Sequence, residues 1–295
     1  MKPPIPPVPP VSPVSPVPPV PPIPPFPVFG HAVGRALDEC RAVVADFRRA
    51  PTEPRPKNNV FGGVEPVCDL DLRLQRLLID AARERWPDLP VVAEEERRTL
   101  EPTPDRCLLI DPLDGTAPFL DGRDSYAIGV CLVDGGRPVA SVLDLPAYRV
   151  RLTAAAGTLH VAGDVDALPW FGPRCVLTGP RHVGRVREAL ARHRLDGYEV
   201  RPVPTAGVKL ALVALARAGA AVLPPRAGIA APWDHAPGAV AVVAAGGGFR
   251  TAADDDGTAA RPAALDAWLA TAAGADAPRR LGRLLSPPPT RKAGT

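Results

Sequence analysis

The sequence lacks the cysteine patterns that mark disulfide-rich and zinc-binding proteins. Its five cysteines are scattered over 295 residues, and no two of them form a C-x-x-C pair. An odd number of isolated cysteines builds neither a disulfide framework nor a zinc knuckle, so a reducing compartment fits best. Lysine is scarce as well, because it supplies only 4 of the 35 basic residues. We therefore expect a cytoplasmic protein, in which Lys57 and Lys209 stand out against an arginine-rich background.

No long apolar run is free of proline. The longest candidate, residues 3–29, holds 15 prolines, each of which lacks the N–H group that a helix needs. This stretch can form neither a membrane-spanning helix nor the core of a signal peptide. Its repeated P-P-[VI]-P-P and V-S-P units favour a polyproline II conformation. We interpret residues 1–29 as a proline-rich disordered tail, and the sequence does not identify a partner for it.

Neither sign of charge dominates the chain. Lys and Arg total 35 against 32 Asp and Glu, and the net charge of +3 gives no reason to expect nucleic acid as the main partner. A nucleic-acid alternative would rest on a short basic end near the C-terminus, which consists of Arg279, Arg280, Arg283, Arg291 and Lys292. Apolar residues make up 46% and charged residues 23%, so the composition is that of a globular protein.

The hydrophobic pattern beyond the tail changes period several times. Apolar residues spaced by three and four predict helices over His31–Arg49 and from about Asp69 to Pro87, with residues 51–66 as a loop between them. Short apolar runs at Val91–Val92 and Cys107–Ile110 then predict buried strands.

Later segments continue to alternate between strand and helix patterns. A hairpin is predicted over residues 126–143, and the alternation runs from Cys175 to a last helix after Trp233. This order predicts an α/β fold, a layered sandwich of alternating helix and sheet layers. We divide it into an N-terminal α+β half over residues 30–156, a C-terminal α/β half over residues 157–285 and a flexible tail over residues 286–295.

One acidic motif follows a buried strand directly. The residues Asp111-Pro112-Leu113-Asp114-Gly115-Thr116 come after four apolar residues, which place Asp111 at the carboxyl end of the strand. Two carboxylates three residues apart across such a turn can face one small volume, where their repulsion is costly unless a cation lies between them. Oxygen ligands without histidine or cysteine favour Mg²⁺ over Zn²⁺. The alternative is a strand-end turn with aspartate caps, since D-G turns are common.

Two further acidic features can join this motif. Glu94-Glu95-Glu96 follows the preceding strand, so Glu94 would lie beside Asp111 if the two strands are neighbours, although a glutamate run is often only a solvated face. Asp234, in Trp233-Asp234-His235-Ala236-Pro237-Gly238, precedes an apolar helix, where it is either a helix cap or a further metal ligand.

Together these motifs resemble the inositol monophosphatase family of Mg²⁺-dependent phosphatases. The family pattern is an acidic pair after a strand, then D-P-[IL]-D-G-T, then W-D-x-A-x-G much later in the chain. This sequence has A-E-E-E at 93–96, D-P-L-D-G-T at 111–116 and W-D-H-A-P-G at 233–238. The resemblance covers about residues 31–285 and implies an inositol-monophosphatase-like fold.

The resemblance also implies roles for individual residues. The implied ligands of two or three Mg²⁺ ions are Glu94, Asp111, Asp114, Asp234 and the Leu113 carbonyl. Thr116 and Asp71 would orient and deprotonate a water held by a metal, with Asp71 preferred over Asp69 and with Glu94 also serving catalysis. The backbone N–H groups of Gly115 and Thr116 would hold phosphate oxygens at a helix start, and Asp234 would also contact substrate.

The sequence defines the substrate less closely. Inositol-specific members usually offer a glutamate before W-D, whereas residues 223–228 read L-P-P-R-A-G here and Arg226 is their charged residue. A cation at this position suits an anionic substrate, and in this respect the sequence resembles the related 3′(2′),5′-bisphosphate nucleotidases. The alternative is that Arg226 is a surface arginine without such a role. Lys209 is interpreted as a solvated helix lysine, with a phosphate contact as the alternative.

The combined prediction is a Mg²⁺-dependent phosphomonoesterase that hydrolyses a small phosphorylated polyol or sugar by attack of a metal-activated water. A bisphosphate nucleotidase is the alternative within the family. A catalytically silent binding module, recruited through the proline-rich tail, is the alternative from another class. The chain is expected to bind neither nucleic acid nor membrane, and only the family resemblance suggests a homodimer.

Overall fold

The computed structural model describes residues 26–58, 63–96, 103–224, 230–251, 267–274 and 281–285. The helices in these ranges are α1 (Phe26–Arg49), α2 (Asp69–Arg85), α3 (Thr116–Leu120), α4 (Val183–Arg192), α5 (Ala206–Ala214) and α6 (Pro232–Ala244). The strands are β1 (Arg55–Asn58), β2 (Val64–Val67), β3 (Val91–Ala93), β4 (Cys107–Asp114), β5 (Ala127–Asp134), β6 (Arg137–Leu145), β7 (Val150–Ala155), β8 (Thr158–Ala162), β9 (Gly172–Thr178), β10 (Glu199–Pro202), β11 (Ala218–Leu223), β12 (Gly248–Thr251) and β13 (Trp268–Thr271).

The first helix begins earlier than its sequence pattern predicts. Helix α1 starts at Phe26, inside the predicted tail, whose residues 1–25 lie outside the described residues. Phe29 is only 1% exposed and its ring lies 5.7 Å from that of Trp86, so tertiary packing stabilises these early turns. None of the helices within the described ranges is both long and apolar enough to cross a membrane.

The predicted loop over residues 51–66 contains a small hairpin instead. Strands β1 and β2 pair antiparallel, with Lys57 opposite Glu65. Each strand is four residues long, β1 is largely exposed and β2 is mostly half-buried, and neither carries the apolar alternation on which strand prediction depends. The loop prediction was therefore wrong for residues 55–58 and 64–66.

A six-stranded sheet forms the first half of the molecule. Its strand order is β3-β4-β5-β6-β7-β8, in which only β3 and β4 run parallel. The predicted boundary near Gly157 is misplaced, because β8 pairs with β7 and extends this sheet to Ala162. Strand β8 is exposed along most of its length, so its sequence lacks a buried face that would have assigned it.

A five-stranded sheet forms the second half, with strand order β10-β9-β11-β13-β12. Strands β10, β9 and β11 are parallel and correspond to the predicted alternation of strand and helix. Strands β12 and β13 pair antiparallel although residues 252–267 separate them in the chain, and the sequence pattern did not indicate this long-range pairing.

The helices lie between and outside the two sheets. Helices α1 and α2 cover one face of the six-stranded sheet, α5 and α6 fill the space between the sheets, and α4 covers the far face of the five-stranded sheet. Alternate residues of β4 serve the two adjoining cores, Leu108 and Ile110 on the α1–α2 side and Cys107 and Leu109 on the α5–α6 side. The predicted sandwich of helix and sheet layers is confirmed.

Close contact of α5 with α6 depends on a glycine. A Cβ added at Gly238 would lie 2.4 Å from Leu210 Cβ, a separation that no packed side chain accommodates. Gly238 therefore lets the two central helices touch just after the turn that carries Asp234.

A buried carboxylate joins α1 to the six-stranded sheet. Asp144 is fully buried in β6 and receives two hydrogen bonds from Arg41, both at 2.8 Å, and one from Arg151 Nε at 2.6 Å. Arg151 also donates to the Gly34 carbonyl and to Asp38 in α1. The side chains of α1 are thus tied to the sheet by charge-assisted hydrogen bonds as well as by apolar packing.

Replacing Asp144 tests this attachment. Asp144→Ala should lower the free energy of unfolding by about 3 kcal/mol, measured by urea denaturation, because two arginines lose a buried partner. The control Asp46→Ala removes the exposed Asp46–Arg49 pair of the same helix and should change the value by less than about 0.5 kcal/mol. A loss below about 1 kcal/mol for Asp144→Ala would contradict the assigned role.

Candidate active site

The predicted acidic residues come from several elements that meet where β3 and β4 end. Because β3 and β4 are parallel and Ala93 pairs with Ile110, the next residue of each strand, Glu94 and Asp111, comes to the same edge. A 3₁₀ turn over Glu94–Glu96 follows β3 at once. The structure thus brings Glu94 beside Asp111, as the parallel arrangement of neighbouring strand ends requires.

Strand β4 does not end at Asp111, contrary to the sequence prediction. It runs on to Asp114, which pairs with Ala127 after a bulge between Asp111 and Asp114. A bulge places extra residues opposite the partner strand and redirects their side chains. Both aspartates therefore belong to one strand, and the bulge between them takes the place of the predicted turn.

Asp111 is the most confined of these carboxylates. It is 1% exposed, its Oδ1 accepts the Leu113 N–H at 3.1 Å, and its Oδ2 is buried without a hydrogen-bond partner among the described residues. Burial raises the pKa of Asp111 well above its ordinary value, and the neighbouring carboxyls of Glu94, Asp114 and Asp234 raise it further. The pKa of Glu94 is also raised by burial, although Lys57 opposes that shift.

Asp114 connects the first sheet to a helix of the second half. Its Oδ2 accepts the Gly207 N–H in the first turn of α5. Burial raises the pKa of Asp114 to about 6, while the Gly207 hydrogen bond and the nearby Lys209 limit the rise. The amino end of a helix stabilises a carboxylate through its free N–H groups and its dipole.

Asp234 lies in the first turn of α6 and serves as a helix cap. Its Oδ2 accepts the N–H of Ala231 at 2.7 Å, so Asp234 caps the helix from its third position, and Ala231, not Asp234, is the N-cap residue. Burial is the main cause that raises its pKa to about 8, and the Asp114 carboxylate adds to the effect. Capping therefore does not remove Asp234 from the acidic group.

Asp71 and Thr116 form a direct hydrogen bond. The Thr116 hydroxyl donates to Asp71 Oδ1 at 2.8 Å and lies 3.2 Å from the Leu113 carbonyl. Asp71 is 1% exposed, whereas Asp69 is exposed and pairs with Arg55 at 2.6 Å. Of the two aspartates that the sequence could not separate firmly, the structure places Asp71 at the site.

The cysteine before α2 was not recognised as a site residue. Cys68 caps this helix, and both its N–H and its thiol donate to Asp71 Oδ2, at 2.8 and 2.9 Å. Burial raises the pKa of Cys68 to about 12, so the thiol keeps its proton and remains a donor. The other four cysteines are likewise buried free thiols.

Gly115 joins β4 to α3 with a left-handed backbone. Its φ is +94°, and an added Cβ would lie 2.6 Å from Thr205 Oγ1 and 2.8 Å from the Ser125 carbonyl oxygen. A side chain is therefore excluded both by conformation and by space. This turn places Thr116 at the start of α3, opposite Asp71.

The interpretation of Lys209 as a solvated helix lysine was wrong. Lys209 is 5% exposed in α5, and its Nζ donates to the carbonyls of Val203 and Pro204 at 3.0 and 3.2 Å. Burial lowers its pKa to about 8, while the carboxylates of Asp114 and Asp234 counteract part of that shift. A buried ammonium thus faces two of the acidic residues.

Lys57 is a second cation at the site, contributed by the β1–β2 hairpin. Its Nζ lies 2.7 Å from Glu95, 3.2 Å from Glu94 and 3.2 Å from Glu65. Its attraction to these carboxylates exceeds the effect of burial and raises its pKa. The sequence marked Lys57 only as a rare residue type, because the hairpin that delivers it was not predicted.

The chemistry of the donor set determines which cation the site suits. Across the described ranges, no three His, Cys, Asp or Glu side chains are already gathered closely enough to hold an ion. Three features nevertheless suit Mg²⁺: the donors are all oxygens, Asp111 Oδ2 is buried without a partner, and adjacent carboxylates raise one another's pKa. Arg226, the predicted substrate contact, lies outside the described residues.

Comparisons with known proteins identify the family of the chain. The family model described as the inositol monophosphatase family matches residues 41–282. The 3′(2′),5′-bisphosphate nucleotidase CysQ of Escherichia coli K12 is 29% identical over 188 residues, 61% of this chain and 74% of that protein.

Solved structures share the fold at lower identity. An IMPase of Thermotoga maritima has a TM-score of 0.68 at 22% identity, covering 88% of this chain and 96% of that one. The inositol monophosphatase of Anabaena (Nostoc) sp. PCC 7120 has a TM-score of 0.67 at 19% identity, covering 90% and 98%. The chain belongs to the inositol monophosphatase family and is therefore a hydrolase of phosphate monoesters.

The raised pKa of Asp234 predicts how stability depends on pH without divalent cations. Between about pH 4 and pH 8, Asp234 is protonated in the folded protein but ionised in the unfolded chain, where its pKa is the ordinary 3.8. The free energy of unfolding therefore falls as the pH rises through this range. Asp234→Asn lacks that dependence. In EDTA, its stability relative to the wild type should increase from pH 5 to pH 8, by at least about 1 kcal/mol.

Urea denaturation at the two pH values measures this difference. A stability difference between wild type and Asp234→Asn that stays constant with pH would show that the Asp234 carboxyl is not strained by burial and by its acidic neighbours.

Proposed function

We propose that the chain is a Mg²⁺-dependent phosphomonoesterase that activates water through Thr116 and Asp71. The observation that carries the proposal is the 2.8 Å hydrogen bond from the Thr116 hydroxyl to Asp71 Oδ1. Thr116 follows the acidic Asp114 by two residues. A hydroxyl whose proton already points to a buried carboxylate is suited to accept a second proton from water.

Mg²⁺ would be held by the side-chain oxygens described above. The residues that supply them are Glu94, Asp111, Asp114 and Asp234, together with the Leu113 carbonyl. When bound, Mg²⁺ offsets the negative charge of the phosphate and lowers the pKa of a coordinated water. The buried Asp111 Oδ2, which has no partner within the described chain, supports this assignment.

Thr116 and Asp71 then move the proton. With its own hydrogen donated to Asp71 Oδ1, Thr116 Oγ1 presents its lone pairs to water. The water proton passes to Thr116 Oγ1 as the threonine proton passes to Asp71 Oδ1, and the water oxygen attacks phosphorus. The P–O bond to the substrate alkoxide breaks on the opposite side, and the alkoxide takes up a proton from solvent and leaves as an alcohol. Cys68 holds the other oxygen of Asp71, so the accepting Oδ1 keeps its direction. The backbone N–H groups of Gly115 and Thr116 bind phosphate oxygens.

Asp111→Asn tests the metal role within this proposal. The variant should lower kcat at least about 100-fold and raise the Mg²⁺ concentration for half-maximal activity about tenfold, because a ligand charge is lost. Its unfolding free energy without Mg²⁺ should equal or exceed that of the wild type, since one repulsive charge is removed. Phosphate release and urea denaturation supply the measurements.

Asp69→Asn is the matched control, because it removes an exposed carboxylate of the same region and should leave kcat unchanged. Near wild-type turnover by Asp111→Asn at low Mg²⁺ would disprove the metal role. A wild type without Mg²⁺-stimulated phosphatase activity would favour the silent binding module recruited through the proline-rich tail.

A 3′(2′),5′-bisphosphate nucleotide is the second candidate substrate beside a phosphorylated polyol or sugar. Its support is a group of cations beyond the acidic residues. The 3₁₀ turn Pro180–His182 follows β9, and the nearby charges of Arg185, Lys209 and Arg181 add to burial in lowering the pKa of His182. This positive region suits a substrate with a second phosphate, and the relative named above has that activity in its name.

A substrate panel separates the two candidates. Phosphate release from sugar phosphates, inositol phosphates and 3′,5′-nucleotide bisphosphates, each with and without Mg²⁺, identifies the class. If the nucleotidase assignment is right, His182→Ala and Arg226→Ala should each raise KM for the bisphosphate about tenfold and leave KM for a monophosphate within about twofold.

Arg192→Ala, at the far end of α4, is the matched cation control. Equal effects of His182→Ala on both substrate classes, or no effect, would remove the argument for a second phosphate and leave the polyol or sugar phosphate as the proposed substrate.

A further inference from the structure

A buried glutamine on α2, the helix that carries Asp71, contacts the turn that carries Glu94. Gln75 is the only glutamine among 295 residues, and it is 5% exposed on α2. It follows Asp71 by four residues, so the two side chains lie on one face of the helix. Its Oε1 accepts the N–H of Glu95 at 2.9 Å. A polar side chain in this position is costly unless its hydrogen bonds are satisfied.

The turn that Gln75 contacts is weakly held by the sheet. Strand β3, which precedes the turn, is three residues long and lies at the edge of the six-stranded sheet with β4 as its neighbour. Its pairing with β4 ends at Ala93, one residue before Glu94. The backbone N–H groups at the start of a short helical turn have no partners within that turn, and Gln75 supplies one of them.

A second attachment of this turn comes from the β1–β2 hairpin. Lys57, on the β1–β2 hairpin, contacts the carboxylates of Glu94 and Glu95. An ammonium on a flexible stem attracts charge without fixing a direction. The Gln75 hydrogen bond is different, because it is directional, it holds the backbone of the turn, and it originates on the helix that carries Asp71.

We infer that Gln75 is a positioning residue that fixes Glu94 relative to Asp71 and Thr116 through the backbone of Glu95. The inference rests on the proposed function, since it assumes that Glu94 binds Mg²⁺. Ligand residues held by hydrogen bonds from a neighbouring layer bind metal more tightly, and loss of such a bond costs roughly tenfold or more in affinity. Gln75 itself contacts neither metal nor substrate in this scheme.

The experiment compares Gln75→Met, which keeps the length but loses the acceptor, with Gln75→Glu, which restores an acceptor oxygen. Leu78→Met, one turn further along α2 and also buried, is the matched control. Mg²⁺ alone is titrated into the full chain by calorimetry, and hydrogen exchange of the Glu95 amide is followed by NMR.

The expected result is that Gln75→Met weakens Mg²⁺ binding roughly tenfold and speeds exchange of the Glu95 amide, while kcat at saturating Mg²⁺ stays within about threefold. Gln75→Glu should recover at least part of both changes, and Leu78→Met should cause neither. If Gln75→Met does not fold, Gln75→Asn, whose amide is one methylene too short, replaces it.

Two other outcomes would reject the inference, and they are distinguishable. If the wild type binds Mg²⁺ and Gln75→Met binds it equally well while only its thermal stability falls, Gln75 is structural and the proposed function survives. If the wild type binds no Mg²⁺, the proposed function fails and this inference fails with it.

Discussion

Mutual repulsion among buried carboxylates is the constraint around which the rest of this structure is arranged. Glu94, Asp111, Asp114 and Asp234 come from distant parts of the chain, and burial raises the pKa of each. Neighbouring carboxylates raise the pKa further at Glu94, Asp111 and Asp234. Such crowding is unfavourable for the protein alone, since charged groups lose hydration and face like charges. In the proposed function, a bound divalent cation would offset both penalties.

The fold limits this cost with backbone N–H groups. Each of four aspartates gives one oxygen to an amide: Asp71 to Cys68, Asp111 to Leu113, Asp114 to Gly207, and Asp234 to Ala231. In three cases the amide belongs to the start of a helix, where the dipole also favours negative charge. One oxygen of each aspartate is thereby fixed in direction, and the second is left for other partners, as Asp71 Oδ1 is for Thr116.

Local signals in the sequence predicted the parts of the site that depend on strand ends. The apolar run before Glu94 sufficed to place this residue at the end of a buried strand. Asp111 lies three residues before the end of β4, but the parallel pairing of β3 with β4 still makes the two residues neighbours. Asp234 required the family motif, because nothing local shows that the start of α6 meets a strand more than a hundred residues earlier in the chain. Lys209 was misassigned for the same reason, since its burial comes from contacts between the two sheets.

The fold was predictable to a similar extent. Helices and buried strands carry periodic patterns, and their layered arrangement follows from their order. The β1–β2 hairpin, the edge strand β8 and the β12–β13 pair were missed for three reasons. All of these strands are short, β1 and β8 are largely exposed and β2 is only half-buried, and β12 and β13 pair across a long separation in the chain. The hairpin matters most for function, since it delivers Lys57.

The two cations of the site show why residue type matters beyond charge. The chain has 31 arginines and only 4 lysines. Two of these lysines lie away from the chain ends: Lys57 contacts Glu94, and Lys209 interacts with Asp114 and Asp234. A guanidinium is broad, planar and always charged, whereas an ammonium is compact and places three donors around one atom. The Lys209 ammonium can therefore donate to two carbonyls while it interacts with Asp114 and Asp234, and Lys57 can lie among three glutamates. Each ammonium lowers the pKa of the carboxylates beside it, Lys57 that of Glu94 and Lys209 those of Asp114 and Asp234, and so offsets part of the repulsion within the acidic group.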